Sequence, residues 1–186
     1  MIQCTPIGAV GAEVDGIDLN MISDDDLENL KALFAKNGLL FFRDQELSPE
    51  AHLDFAKKWG PINVNRFFTP VKGYPSIAEV RKEPHQQYNI GGNWHTDHSY
   101  DQIPALGSML YAKELPKVGG DTLFAGCAAA FDTLSEGMKS TLRSLRAVHS
   151  SRHVFGKSAA IPDDMADLFG NADKALQDAE HPVVIK

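Results

Sequence analysis

Only two cysteines, Cys4 and Cys127, occur in 186 residues. That excludes a disulfide framework and a cysteine-rich zinc site, and it fits a reducing compartment, so the expected location is the cytoplasm. No apolar run is long enough to span a membrane, and residues 1–6 have neither the basic start nor the apolar core of a secretory signal. Positive charge is scarce, with 18 Lys and Arg against 25 Asp and Glu, a net charge of −7 and a pI near 5.4. Neither nucleic acid nor an anionic membrane is an expected partner for such a surface, although a local basic pocket can still hold a small anion. Internal repeats and low-complexity segments are absent too. What remains is a chain with 43% hydrophobic residues, enough for the core of one domain over residues 1–186, or for a shortened version of a larger one.

Residues 8–19 alternate small or branched residues with Glu13, Asp15 and Asp18, the pattern of an opening strand and turn. Ser23 is placed to cap a helix whose first turn carries Asp24, Asp25 and Asp26 and whose apolar stripe is Leu27, Leu30, Leu33 and Phe34; Gly38 ends it. A buried strand is expected over 39–42, and a second helix from Ser48-Pro49 to Gly60. Residues 61–92 read as a long loop with one strand at 77–81. A strand over 105–112, a turn through Gly119-Gly120 and a returning strand over 121–125 would form a hairpin. Helices follow around 128–134 and 138–148, then a strand near 149–155, a short helix over 162–169, and an apolar strand from His181 that has no partner before the sequence ends. An unpartnered closing strand suggests a shortened domain.

The chemistry concentrates in Gly91-Gly92-Asn93-Trp94-His95-Thr96-Asp97-His98. On an extended strand His95 and Asp97, two apart, would project to one face. An imidazole and a carboxylate supply two of the three ligands of the 2-His-1-carboxylate facial triad, which holds ferrous iron and leaves positions open for dioxygen and substrates. His-x-Asp alone is a weak signal, because most such pairs are solvated surface residues. Gly119-Gly120-Asp121-Thr122, about one hairpin later, strengthens it.

Trp94-His95-Thr96-Asp97, then Lys113-Glu114-Leu115-Pro116 and Gly119-Gly120-Asp121-Thr122, resembles the Fe(II)- and 2-oxoglutarate-dependent dioxygenases of the TauD/TfdA family. The segments 11–19, 38–45 and 181–184 resemble it as well, so the likeness runs through nearly the whole chain in order. The resemblance implies a mainly β fold with flanking helices, a double-stranded β-helix or jelly roll of the clavaminate synthase-like kind, incomplete at its C-terminus. It implies His95 and Asp97 as the first two iron ligands and Thr122 as a hydroxyl on a carboxylate of 2-oxoglutarate. The implied partners are dioxygen and a small, anionic substrate that is hydroxylated while 2-oxoglutarate is converted to succinate and carbon dioxide. The taurine-specific enzymes use a His and an Asn where this chain has Thr69 and Gly91, which counts against taurine itself. Asn93, Trp94, Tyr100 and Thr69 are the candidates to border the substrate, with Trp94 and Tyr100 read equally well as core aromatics.

In the resembled family a distal His and a 2-oxoglutarate-binding Arg lie beyond the His-Pro-Val-Val strand, and this chain ends at Lys186. His149, His153 and His181 are the histidines left to substitute. With one imidazole and one guanidinium fewer, the chain alone is expected to be weakly active or inactive. Unpaired strand edges of an incomplete jelly roll suggest a homo-oligomer. Two rivals stand beside the dioxygenase: a non-catalytic jelly roll used for binding or assembly, and a zinc hydrolase built on His95 and Asp97, in which Gly-Gly-Asp-Thr would have no task.

Overall fold

The structure is a computed structural model that describes residues 2–87, 89, 91–157, 159, 169 and 171–185. It divides into two compact units, residues 1–61 with 110–136 and residues 62–109 with 137–186.

In the first unit β1 (Gln3–Pro6) pairs antiparallel with β2 (Ala12–Asp15), and β2 pairs parallel with β3 (Leu40–Phe42). Parallel neighbours need a crossover, and α1 (Asp24–Asn37) provides it. The Ser23 hydroxyl accepts the Asp26 N–H at one end of α1, and Gly38, left-handed at φ 73°, donates its N–H to the Phe34 carbonyl at the other. A second helix, α2 (Pro49–Trp59), is capped by the Ser48 hydroxyl accepting from the Ala51 N–H. Edge-to-face rings tie these elements together: Phe34 to Trp59 at 5.6 Å, Phe42 to Phe55 at 6.4 Å and Phe55 to Trp59 at 6.1 Å between centroids. Ala12, Val14, Leu30 and Phe55 are buried in this unit. Residues 110–126 are held here by two aromatics. The Tyr111 hydroxyl donates to the Gln45 carbonyl and accepts from the Leu47 N–H, and Phe124 meets Phe41 edge-on. The short helix α3 (Cys127–Asp132) follows.

The second unit contains the hairpin β4 (Pro70–Val71) and β5 (Tyr74–Ala78), the helix α4 (Glu136–Ser144) from its second residue on, β6 (Arg146–Ser150), the short helix α5 (Arg152–Phe155) and β7 (Asp178–Pro182). β6 and β7 are antiparallel, in register from Arg146 opposite Pro182 to Ser150 opposite Asp178. Its core is Phe67, Tyr100 and Ala175 with Phe155, whose ring stacks on Phe67 at 4.2 Å.

Several expectations are corrected. Helix, not strand, holds more of the described residues, so the content is mixed rather than mainly β. The hairpin over 105–125 does not form a ladder: both segments lack regular structure, and Leu106, Leu110, Leu115 and Leu123 are exposed. A strand-like sequence makes a strand only where a neighbour supplies hydrogen bonds, and no described strand pairs with either segment. The strand expected at 77–81 runs from Tyr74 to Ala78, and the one near 149–155 splits into the end of β6 and α5. The closing strand has a partner after all, since β7 pairs with β6 and ends at Pro182. The helix expected over 162–169 lies outside the described residues, except for Phe169, which bridges to Phe68.

Candidate metal site

His95 and Asp97 are brought together, but by a loop rather than a strand. Residues 91–96 have no ladder, and 97–100 form a turn in which His98 is left-handed at φ 54°. His95 Nε2 and Asp97 Oδ1 are nevertheless 3.3 Å apart. The other ring nitrogen, Nδ1, lies 2.7 Å from the Asn93 carbonyl oxygen. A carbonyl can only accept, so Nδ1 carries the proton and Nε2 is left with its lone pair in the neutral ring. The second carboxylate oxygen of Asp97, Oδ2, accepts from the Ser108 hydroxyl at 2.7 Å.

Two electron-rich atoms, Nε2 and Oδ1, thus face each other with their outer neighbours already satisfied. Such a pair calls for a cation or a second ring proton between them. First-row metal–ligand bonds of about 2.0–2.2 Å place adjacent donors about 3 Å apart, so the spacing fits one ion. The donor set, one imidazole nitrogen and one carboxylate oxygen, suits ferrous iron. Both side chains are more than half exposed, which leaves the front of the pair open. Among the described residues no group of three or more His, Cys, Asp or Glu is arranged to hold a metal.

Gly91 explains how the loop approaches the ring. At φ 69° it favours glycine, and a Cβ there would lie 3.0 Å from His95 Cε1.

Behind the open pair, the same loop is fastened. Asp101 is buried, and its Oδ1 accepts from Arg66 at 2.5 Å while Oδ2 lies 3.4 Å from the Asn63 amide and 3.3 Å from His98 Nδ1. His181 Nε2 donates to the Ser99 and Asp101 carbonyls, each at 3.0 Å, and the Gln102 amide donates to the Asp178 carbonyl. Tyr100 inserts its ring beside Phe67, and burial, helped by the nearby Asp101 charge, pushes its phenol up to about 12.

The other candidates fall out differently. Of the two readings open for Tyr100 and Trp94, burial makes Tyr100 a core ring, whereas Trp94 is 72% exposed. Asn93 contributes its carbonyl to the histidine, and its side chain is exposed along with Thr69. Thr122, also exposed, lies in the first unit after Gly119 and Gly120, which both adopt positive φ. His181 uses Nε2 to fasten the loop, and its ring lies 5.6 Å from that of His149. Sequence reasoning missed Ser108, Arg66 and Asp101. Asp101 at three residues from His98 has the spacing of one turn, a faint signal; nothing links Ser108 to Asp97 along the chain.

Residues 3–186 match the family model described as Taurine catabolism dioxygenase TauD, TfdA family. The chain belongs to the TauD/TfdA family. It is 33% identical over 143 residues to an (S)-phenoxypropionate/alpha-ketoglutarate-dioxygenase of Sphingobium herbicidovorans, covering 75% of this chain and 50% of that protein. It is 30% identical over 183 residues to an alpha-ketoglutarate-dependent sulfate ester dioxygenase of Pseudomonas putida, covering 95% of this chain and 59% of the relative. A crystal structure of a taurine dioxygenase from Burkholderia xenovorans superposes with a TM-score of 0.75 at 26% identity, covering 98% of this chain and 58% of that one. The chain therefore has the fold of the corresponding part of a TauD/TfdA protein and spans between half and three-fifths of the length of these relatives.

Proposed function

We propose that this chain carries the iron- and cosubstrate-binding part of a 2-oxoglutarate-dependent dioxygenase that hydroxylates a small anionic metabolite. The observation that carries the proposal is the convergence of His95 Nε2 and Asp97 Oδ1 in a member of a family whose relatives are named as alpha-ketoglutarate-dependent dioxygenases. Within this reading both units belong to one domain of jelly-roll type, since the family match runs through them without a break.

Bound ferrous iron would supply the activation of dioxygen and the oxidising power. The chain's own part is positioning. The Asn93 carbonyl holds the His95 proton on Nδ1, which keeps Nε2 available as a donor, and the loop anchored through Asp101 keeps the pair together. In this reading the Thr122 hydroxyl donates to a carboxylate oxygen of 2-oxoglutarate, a charge-assisted contact that the alcohol can make without changing protonation state. The relatives' named substrates, a phenoxypropionate and sulfate esters, share an anionic group, and that supports an anionic substrate here. Asn93, Trp94 and Thr69 are its candidate neighbours.

Anaerobic titration of Fe(II) and 2-oxoglutarate into this chain tests the reading through the visible charge-transfer band of the ternary chelate. A band that His95→Ala removes is expected. Absence of a band at saturating iron and 2-oxoglutarate would instead favour the non-catalytic binding role, to which the lack of a third ligand among the described residues lends its support.

A further inference from the structure

We infer that Ser108 is a positioning residue of the metal site: it selects which oxygen of Asp97 faces the ion. The inference rests on the metal reading of His95 and Asp97 and adds to it a residue outside the motif.

A carboxylate can turn about its last bond and offer either oxygen, both, or neither to a neighbour. Asp97 is exposed, so packing does not hold it. Only one short contact fixes its orientation among the described residues, the 2.7 Å hydrogen bond that Ser108 Oγ donates to Oδ2. With Oδ2 committed, Oδ1 is the oxygen left facing His95 Nε2 at 3.3 Å. The histidine is treated in the same way, its Nδ1 committed to the Asn93 carbonyl at 2.7 Å so that Nε2 faces inward. Each ligand is therefore gripped on its far atom, and the two near atoms converge. Groups that orient metal ligands in this way typically change metal affinity 10- to 100-fold when removed.

The hydroxyl is also a neutral donor. It leaves the negative charge on Asp97 available to the ion, whereas a lysine or arginine at the same place would compete with a metal for it. Threonine retains the hydroxyl and alanine does not, so the two substitutions separate the hydrogen bond from the shape of the loop.

The test is a Co(II) titration of the 186-residue chain, followed through the visible ligand-field spectrum, with thermal unfolding by circular dichroism alongside. Ser108→Ala is expected to weaken Co(II) binding about tenfold, at the lower end of the range because the contact is exposed, and to alter the spectrum. Ser108→Thr is expected to restore affinity to within about threefold of the parent and to restore the parent spectrum. Both variants are expected to melt with the parent. Equal Co(II) affinity in the parent and in Ser108→Ala would overturn the inference while leaving the metal site standing, as would a threonine variant as weak as the alanine one. A parent chain whose Co(II) affinity is unaffected by Asp97→Ala would overturn the metal reading itself, and this inference with it.

Discussion

The loop that carries the candidate ligands has two halves built by opposite rules. Residues 98–101 are fastened: Tyr100 and Asp101 are buried, Arg66 and Asn63 reach the Asp101 carboxylate, and His181 spans two backbone carbonyls. Residues 93–97 are open, with Trp94, His95 and Asp97 all exposed and only single hydrogen bonds orienting the last two. The difference teaches a division of labour. A site that must admit an ion and leave room in front of it cannot be packed, so the packed half anchors the loop while single hydrogen bonds from Asn93 and Ser108 orient the ligands.

If that division is right, substitutions in the fastened half should cost stability and those in the open half should not. The largest loss is expected from Phe67→Ala, which removes a fully buried ring stacked on Phe155 and touching Tyr100, at about 3–5 kcal/mol by urea unfolding. A loss under 1 kcal/mol would show that this core does not hold the loop. Asp101→Ala comes next. It leaves the guanidinium of Arg66 half-buried without its partner and should cost about 2–3 kcal/mol, less than a fully buried pair because Arg66 retains some water.

The pH dependence of the same half follows from Tyr100. Its phenol is raised from 10.0 to about 12, so the folded chain keeps a proton that the unfolded chain loses first. The stability tied to it is complete below pH 10 and declines as the pH rises towards 12. Unfolding measured across that interval should show a steeper decline in the parent than in Tyr100→Phe; parallel curves would contradict the assignment. The smallest effect on stability belongs to the open half: His95→Ala should melt within about 0.5 kcal/mol of the parent while abolishing the iron–2-oxoglutarate band. A large loss of stability there would erase the contrast between the two halves.

The legible parts of the fold are those governed by local rules. Ser23, the acidic first turn and Gly38 bound α1 where their chemistry says a helix begins and ends, and Ser48-Pro49 and Gly60 do the same for α2. The segments at 105–112 and 121–125 have a strand-like sequence between turn residues but form no strand, because a strand also needs a neighbour to pair with. At the site, the motif exposed His95 and Asp97 but gave the wrong reason for their convergence: a turn, not a strand, turns them together. The fastening residues were illegible because Arg66 and His181 are 35 and 80 residues from Asp101, and no periodicity connects them. Tyr100 and Trp94 were indistinguishable as aromatics in a motif, and only burial separates them.

In this reading an anchored loop presents His95 Nε2 and Asp97 Oδ1 to one metal ion. Anomalous diffraction from crystals of the chain soaked in Mn(II) tests it most directly. The predicted result is a peak within bonding reach of both atoms, with Asp97 Oδ2 still on Ser108. A peak bound elsewhere, or a His95 Nε2 that remains against Asp97 with no metal at saturating Mn(II), would contradict it.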